Sequence, residues 1–157
     1  MAHETGMFTR SSPRLMSAEA TTISPRKILV VDDNEIILRT VAAKLRQAGY
    51  QPFLALDGLE AVTVARETML DVVLLDINFP PDVYGQAWDG FHIINWLRRL
   101  ENTRQVPIIM ISSTQNASDR EQAKRCGVTA FFHKPIDHED LLKVIQATLA
   151  PAPATAV

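Results

Sequence analysis

An α/β fold is expected here, a parallel β-sheet with helices on both faces, and three observations lead to it. Five short apolar segments alternate along the chain with five segments of helical period. Three of the apolar segments, "ILVV" at 28–31, "VVLL" at 72–75 and "IIMI" at 108–111, are apolar at every position, so both of their faces must be covered. Each connection between them is long enough to hold a helix, as strands running in the same direction require.

The elements follow in order. Residues 27–31 read as a strand. Residues 35–48 read as a helix with Ile37, Val41, Leu45 and Ala48 on its inner face and Gly49 as its stop. A second strand covers 51–55. Asp57 caps a helix over 58–69 that is expected to bury Leu59, Val62 and Ala65. The third strand is 71–76, and the third helix 90–100, with Phe91, Ile93, Ile94 and Leu97 inward and Trp96 flanking. A fourth strand spans 106–112. The helix at 116–126 has a thin apolar face of Ala117, Ala123 and Cys126. Residues 129–133 form the fifth strand, and Asp137 caps a last helix over 138–149 through Leu141, Leu142, Ile145 and Leu149. Residues 1–25, rich in Ser, Thr, Ala and Met, and 150–157, "APAPATAV", read as disordered tails around a domain at 26–149.

Composition narrows the function. The 157 residues suit one domain, 46% are apolar and 22% charged, and the formal net charge is −2. No nucleic-acid or anionic-membrane partner is expected from that balance. The apolar runs are far too short to span a bilayer, and the first 26 residues lack the apolar core of a secretory signal. The single cysteine, Cys126, excludes an internal disulfide, fits a reducing cytoplasm, and reads as a small core residue.

In a parallel sheet the carboxyl ends of the strands share one rim, where ligands bind. Here the first strand ends in Asp32-Asp33, the third in Asp76 followed by Asn78, the fourth in Ser112-Ser113 and the fifth in His133-Lys134-Pro135. Clustered carboxylates need a counterion. A hard cation such as Mg²⁺ prefers oxygen ligands, and Lys134 adds a point charge. Together with the Ser112 hydroxyl, these groups make a site for a phosphoryl group, with an aspartate as nucleophile and an acyl phosphate as product. His133 points to the opposite side of its strand from Lys134.

These residues resemble the receiver domain of two-component response regulators, of the stand-alone type similar to the chemotaxis response regulator. The resemblance rests on "VVDDN" at 30–34, "LLDINFP" at 74–80, "DGF" at 89–91, "PIIMISS" at 107–113 and "HKP" at 133–135, in the family's order and spacing. It implies a flavodoxin-like, three-layer α/β/α fold with strand order 2-1-3-4-5 and five helices. It assigns Asp76 as the phosphoacceptor and Asp33 as a direct Mg²⁺ ligand, with Asp32 acting through a coordinated water and Asn78 offering its backbone carbonyl. Ser112 matches the switch hydroxyl, Lys134 the phosphate-binding lysine and Phe131 the switch aromatic; Pro135 would follow a cis peptide bond. The implied partners are a histidine kinase or histidine phosphotransfer protein of a bacterial phosphorelay, an unknown downstream protein, and a second copy through the fourth helix–fifth strand–fifth helix face. The implied activity is self-catalysed phosphoryl acceptance and loss in the cytoplasm, not enzymatic turnover of another substrate.

Other readings stand beside these. Either Asp32 or Asp33 alone is a fitting helix cap, Asp76 a turn residue, Ser112 a partner for a strand-end amide and Lys134 a solvated lysine. Of Phe131 and Phe132, which face opposite sides, one packs in the core. A pseudo-receiver that binds partners without phosphorylation is a second function; it would be expected to lack an acid or the lysine, and none is missing. A metal-dependent phosphatase would want an acid two positions after the nucleophile, where Asn78 stands. The segment "PDVYGQAW" at 81–88, with Tyr84 and Trp88, is longer than the family norm and packs locally or meets a partner.

Overall fold

The computed structural model describes residues 23–80 and 89–151. The expected tails lie almost wholly outside the described residues, and the 81–88 loop with Tyr84 and Trp88 lies entirely outside them.

Five strands, β1 (Lys27–Val31), β2 (Gln51–Ala55), β3 (Val72–Asp76), β4 (Ile108–Ser112) and β5 (Ala130–His133), alternate with five helices. These are α1 (Glu35–Gln47), α2 (Gly58–Glu67), α3 (Gly90–Arg99), α4 (Ala117–Arg125) and α5 (His138–Leu149). The strands form one sheet in the order β2-β1-β3-β4-β5, and every pairing is parallel. Alternation along the strands sorts the core into two halves. Ile28, Val30, Val72, Leu74, Ile109 and Ile111 pack with Leu38, Val41, Leu45, Leu141 and Ile145 of α1 and α5. Leu29, Val31, Val73, Leu75, Ile108 and Met110 pack with residues of α2 and α3 and with Ala123 of α4. Phe131 joins the second half and Phe132 the first, on opposite sides as alternation requires.

Four helix starts are held by side chains. Asn34, Asp57, Asp89 and Asp137 each accept backbone N–H groups of the first turn. Asn116 at the start of α4 makes no such bond, and α4 buries only Ala123. It is the least firmly held helix of the five.

Several sequence expectations shift. The buried stripe of α1 is Leu38, Val41, Ala42 and Leu45, with Ile37 half-buried and Ala48 exposed as the C-cap. Val41 and Leu45 are buried as expected, while Leu38 and Ala42 take the places expected for Ile37 and Ala48, so the stripe keeps its period and is turned by less than one position. Leu59 is 73% exposed, because α2 turns Gly58, Ala61, Val62 and Ala65 to the sheet instead. Ala117 is exposed and Cys126 only half-buried. Trp96 is 41% exposed and lies under the Arg99 guanidinium. The Lys134–Pro135 peptide is cis. Among the described residues, no helix is long and apolar enough to cross a membrane.

Candidate functional site

The strand order reverses between β1 and β3, because β2 lies on one side and β4 and β5 on the other. Beyond the carboxyl ends of these strands the chain must diverge, leaving a cleft. Asp32 follows β1 and Asp76 ends β3, so both carboxylates reach this cleft. Asp32 and Asp76 are each 3% exposed, whereas Asp33 is open to solvent. One oxygen from each of Asp32, Asp33 and Asp76 lies within 4.8 Å of the other two. Three hard oxygen donors this close suit a small divalent cation that keeps some of its waters. No histidine or cysteine belongs to this cluster.

Lys134 completes the cluster from β5, at the edge of the sheet. Its Nζ donates to Asp32 Oδ2 and to Asp76 Oδ2, both at 2.9 Å. The contact spans 102 residues of sequence to Asp32 and depends on the whole β1-β3-β4-β5 order. The backbone N–H of Lys134 donates to the Ser112 carbonyl at 2.8 Å, which extends the β4–β5 ladder and fixes where the lysine leaves the sheet. Burial pushes the Asp76 carboxyl above its ordinary 3.8, and the Lys134 and Asn78 hydrogen bonds only partly oppose that push. Burial pulls Lys134 down, but its bonds to Asp76 and Asp32 outweigh the pull and leave it above 10.5. The acid thus pays a desolvation cost for being ionised at neutral pH, and a second cation nearby would relieve it.

The remaining residues anchor or face away. Asn78 donates its backbone N–H to Asp76 Oδ1 at 3.1 Å, while its side-chain amide donates to Ser113 Oγ. Asp32 Oδ1 accepts from the Asn34 N–H at 2.8 Å, and Asn34 caps α1. The capping role that sequence left open for Asp32 or Asp33 therefore falls to Asn34, which frees both acids for the cleft. Ser112 is fully buried, but its hydroxyl is turned to the β4–α4 connection, not bonded to the acids or the lysine. Ser112 Oγ accepts from the Thr114 N–H at 3.0 Å and lies 2.9 Å from Thr114 Oγ1. Thr114 Oγ1 donates its one hydrogen to Asp119 Oδ2 at 2.7 Å. The Ser112 hydroxyl must therefore donate to Thr114. Thr114 and Asp119 were not singled out from sequence, and only their contacts reveal the chain. Phe131 packs against the core half that holds Met110, with the Arg120 guanidinium 5.6 Å from its ring centre. Beside Lys134, an apolar hollow of about 460 Å³ is lined by Ile36, Ile37, Thr40, Val41, Pro135, Ile136 and His138.

Gly90 is a further residue whose part becomes visible only in three dimensions. Its N–H donates to the Ile77 carbonyl at 2.8 Å. A Cβ at this position would lie 2.6 Å from the Asp76 carbonyl oxygen and 2.8 Å from Ile77 Cα, both backbone atoms with little room to move. Glycine here lets α3 start directly against the segment that carries Asp76. Gly90→Ala is expected to cost about 1–3 kcal/mol in a urea melt, as overpacking does. Because the shift falls on Asp76 itself, a magnesium titration should show weaker binding; unchanged stability together with unchanged binding would contradict this placement.

Known proteins match this arrangement. Residues 28–146 match the family model described as the response regulator receiver domain. Protein PilH of Pseudomonas aeruginosa is 34% identical over 124 residues, covering 79% of this chain and 98% of its own. The polar-differentiation response regulator DivK of Brucella anthropi is 27% identical over 128 residues, 82% of this chain and 99% of its own. Among solved structures, the chemotaxis protein CheY4 of Vibrio cholerae superposes with a TM-score of 0.72 at 32% identity, covering 80% of this chain and 99% of that one. The receiver domain of the sensor histidine kinase PA1611 of Pseudomonas aeruginosa, solved with a magnesium ion coordinated in its active-site cleft, gives 0.69 at 31% identity, covering 80% and 98%. With residues 28–146 matching the family model and the strand order shared with a solved relative over 80% of its length, this chain belongs to the response regulator receiver domain family.

Proposed function

We propose that this protein is a single-domain response regulator that accepts a phosphoryl group on Asp76 from a phosphohistidine of a kinase or phosphotransfer protein. The observation that carries the reading is Lys134 bridging Asp32 and Asp76 at 2.9 Å each, in a cleft where Asp33 supplies a third carboxylate. In this reading Asp33, Asp76 and the Asn78 carbonyl would hold Mg²⁺, with Asp32 acting through a water. When bound, the ion neutralises charge on the phosphoryl oxygens. An Asp76 oxygen attacks phosphorus, the bond from phosphorus to the donor's imidazole nitrogen breaks, and an acyl phosphate forms. No general base is needed, because the nucleophile is already ionised once the site holds its cations. Lys134 exchanges its bond to Asp76 for one to a phosphoryl oxygen. The Ser112 hydroxyl rotates from Thr114 to donate to another. Phe131 then moves into the space that Ser112 leaves.

The two conformations must bind the phosphoryl group unequally for a partner to sense it; a near-complete switch requires about 5.5 kcal/mol of difference. The face of α4, β5 and α5 is the surface read by a downstream protein or a second copy. The weak hold on α4 supports that assignment, since an element that moves is drawn from the less stable part of a fold. The protein acts on no substrate other than its own phosphoryl group, and the reading sets it in the cytoplasm with its donors. The presence of all three acids and the lysine, in mutual contact, supports phosphorylation over a phosphorylation-independent binding role.

The test is intact-mass measurement after incubation with acetyl phosphate. A single phosphoryl adduct is expected with magnesium and none with EDTA. An unmodified protein under both conditions would remove the reading.

A further inference from the structure

The two residues expected to move on phosphorylation, Ser112 and Phe131, do not touch one another's partners at random. Both are tied to consecutive residues of the first turn of α4. Ser112 reaches Asp119 through Thr114, by bonds of 2.9 and 2.7 Å. Phe131 reaches Arg120, whose guanidinium carbon lies 5.6 Å from the ring centre. Arg120 also lies 2.9 Å from Nε2 of His133 through Nη2. His133 shares a sheet face with Phe131, two positions along β5, and meets its ring edge-on with centres 5.5 Å apart. Ser112 and His133 are register partners across β4 and β5, as are Met110 and Phe131.

Chemistry fixes the direction of the Arg120–His133 bond. A guanidinium only donates, so Nε2 must accept. The imidazole is then neutral with its hydrogen on Nδ1. That nitrogen is buried and meets no partner among the described residues. Arg120 is therefore the one hydrogen-bond anchor this ring has there, and it holds both aromatic rings at once.

We propose that Arg120 is a positioning residue that latches Phe131 in the unphosphorylated conformation, with His133 as the second point of attachment. The trigger half of this inference rests on Asp76 phosphorylation. When the Ser112 hydroxyl turns to the phosphoryl group, the bond chain to Asp119 loses its first link. The adjoining Arg120 loses its setting, and the Phe131 ring is free to move inward. The latch half concerns the resting protein alone and stands or falls without phosphorylation.

Arg120→Ala tests it, since an exposed arginine on a lightly buried helix can be removed without emptying the core. At pH 8, ¹⁵N spectra of unphosphorylated wild type should show His133 with its hydrogen on Nδ1. In Arg120→Ala the hydrogen should move to Nε2, and the Phe131 ring resonances should move toward those of the phosphorylated wild type. Labelling by acetyl phosphate in saturating magnesium should be about fivefold faster, the size expected for loss of one partly exposed cation–π contact that biased the resting state. A wild-type His133 carrying its hydrogen on Nε2 would overturn the latch. So would Phe131 resonances unmoved by the substitution. If wild type takes no label at all, the phosphorylation reading fails, but the two resting-state measurements still decide the latch. If wild type labels and the variant labels at the same rate with the same ring resonances, phosphorylation stands and the latch falls.

Discussion

Asp76→Asn takes no label from acetyl phosphate at any magnesium concentration, while remaining folded. This is the largest effect expected of any substitution, because in the proposed reading Asp76 supplies the oxygen that attacks phosphorus. The same variant should be more stable than wild type in metal-free buffer. Burial holds the Asp76 carboxyl above its ordinary 3.8, so the folded protein binds a proton more tightly there than the unfolded chain does. A raised carboxyl contributes stability that is fully present below 3.8 and is lost as pH rises through the folded value. At neutral pH, wild type has lost it and an amide has nothing to lose. The difference in melting temperature between variant and wild type should therefore grow as pH rises from 3.8 through the raised value, then level off. Magnesium should close that gap by stabilising wild type alone. Undiminished labelling of the variant would rule Asp76 out, and a variant less stable than wild type at neutral pH would show that the acid contributes more to the fold than its burial costs.

Lys134→Ala is expected to have the second-largest effect. Asp32 and Asp76 expose only 5% and 4% of their side chains, and the lysine exposes 20%. Removing the ammonium leaves two buried carboxylates facing each other, which costs about 3 kcal/mol, the low end for breaking a buried pair because the lysine is partly solvated. In metal-free buffer the variant should unfold at correspondingly lower urea. Magnesium should restore part of the loss, since the cation occupies the same negative field. Labelling should remain slow even where folding is restored, because no ammonium meets the phosphoryl oxygens. A variant as stable as wild type without metal would mean that the lysine's two bonds are replaced by solvent at no cost.

These two predictions rest on residues that sequence alone singles out. Each of the acids and the lysine lies at the end of an apolar segment, and apolar segments that alternate with helices leave little freedom in where their ends go. The fold was readable for the same reason. "ILVV", "VVLL" and "IIMI" have no polar face to offer solvent, so helices had to cover both sides. The strand order came from family resemblance, because periodicity carries no information on which strand neighbours which. Helix faces are set by less. Leu59 is apolar yet 73% exposed, and α1 buries Leu38 and Ala42 beside the expected Val41 and Leu45, because a helix with apolar residues at adjacent positions can turn either to the sheet.

The connections between switch residues lay beyond sequence reading. Thr114, Asp119 and Arg120 are unremarkable by type and match no spacing rule, and Gly90 stands in the "DGF" stretch without its reason showing there; their parts depend on contacts that only close packing specifies. The same holds for the N-cap of α1, which sequence offers to Asp32 or Asp33 and which Asn34 takes. The backbone path decides for Asn34 by pointing its side chain at the N–H groups of Ile36 and Ile37. The amino-acid order was thus enough to specify an α/β sheet with an acidic, lysine-bearing rim, since hydrophobic burial and strand direction act through residue type. Which hydroxyl faces which neighbour, and which arginine lies over which ring, required the folded chain, since hydrogen bonds and stacking act through distances of a few ångströms that residue type does not encode.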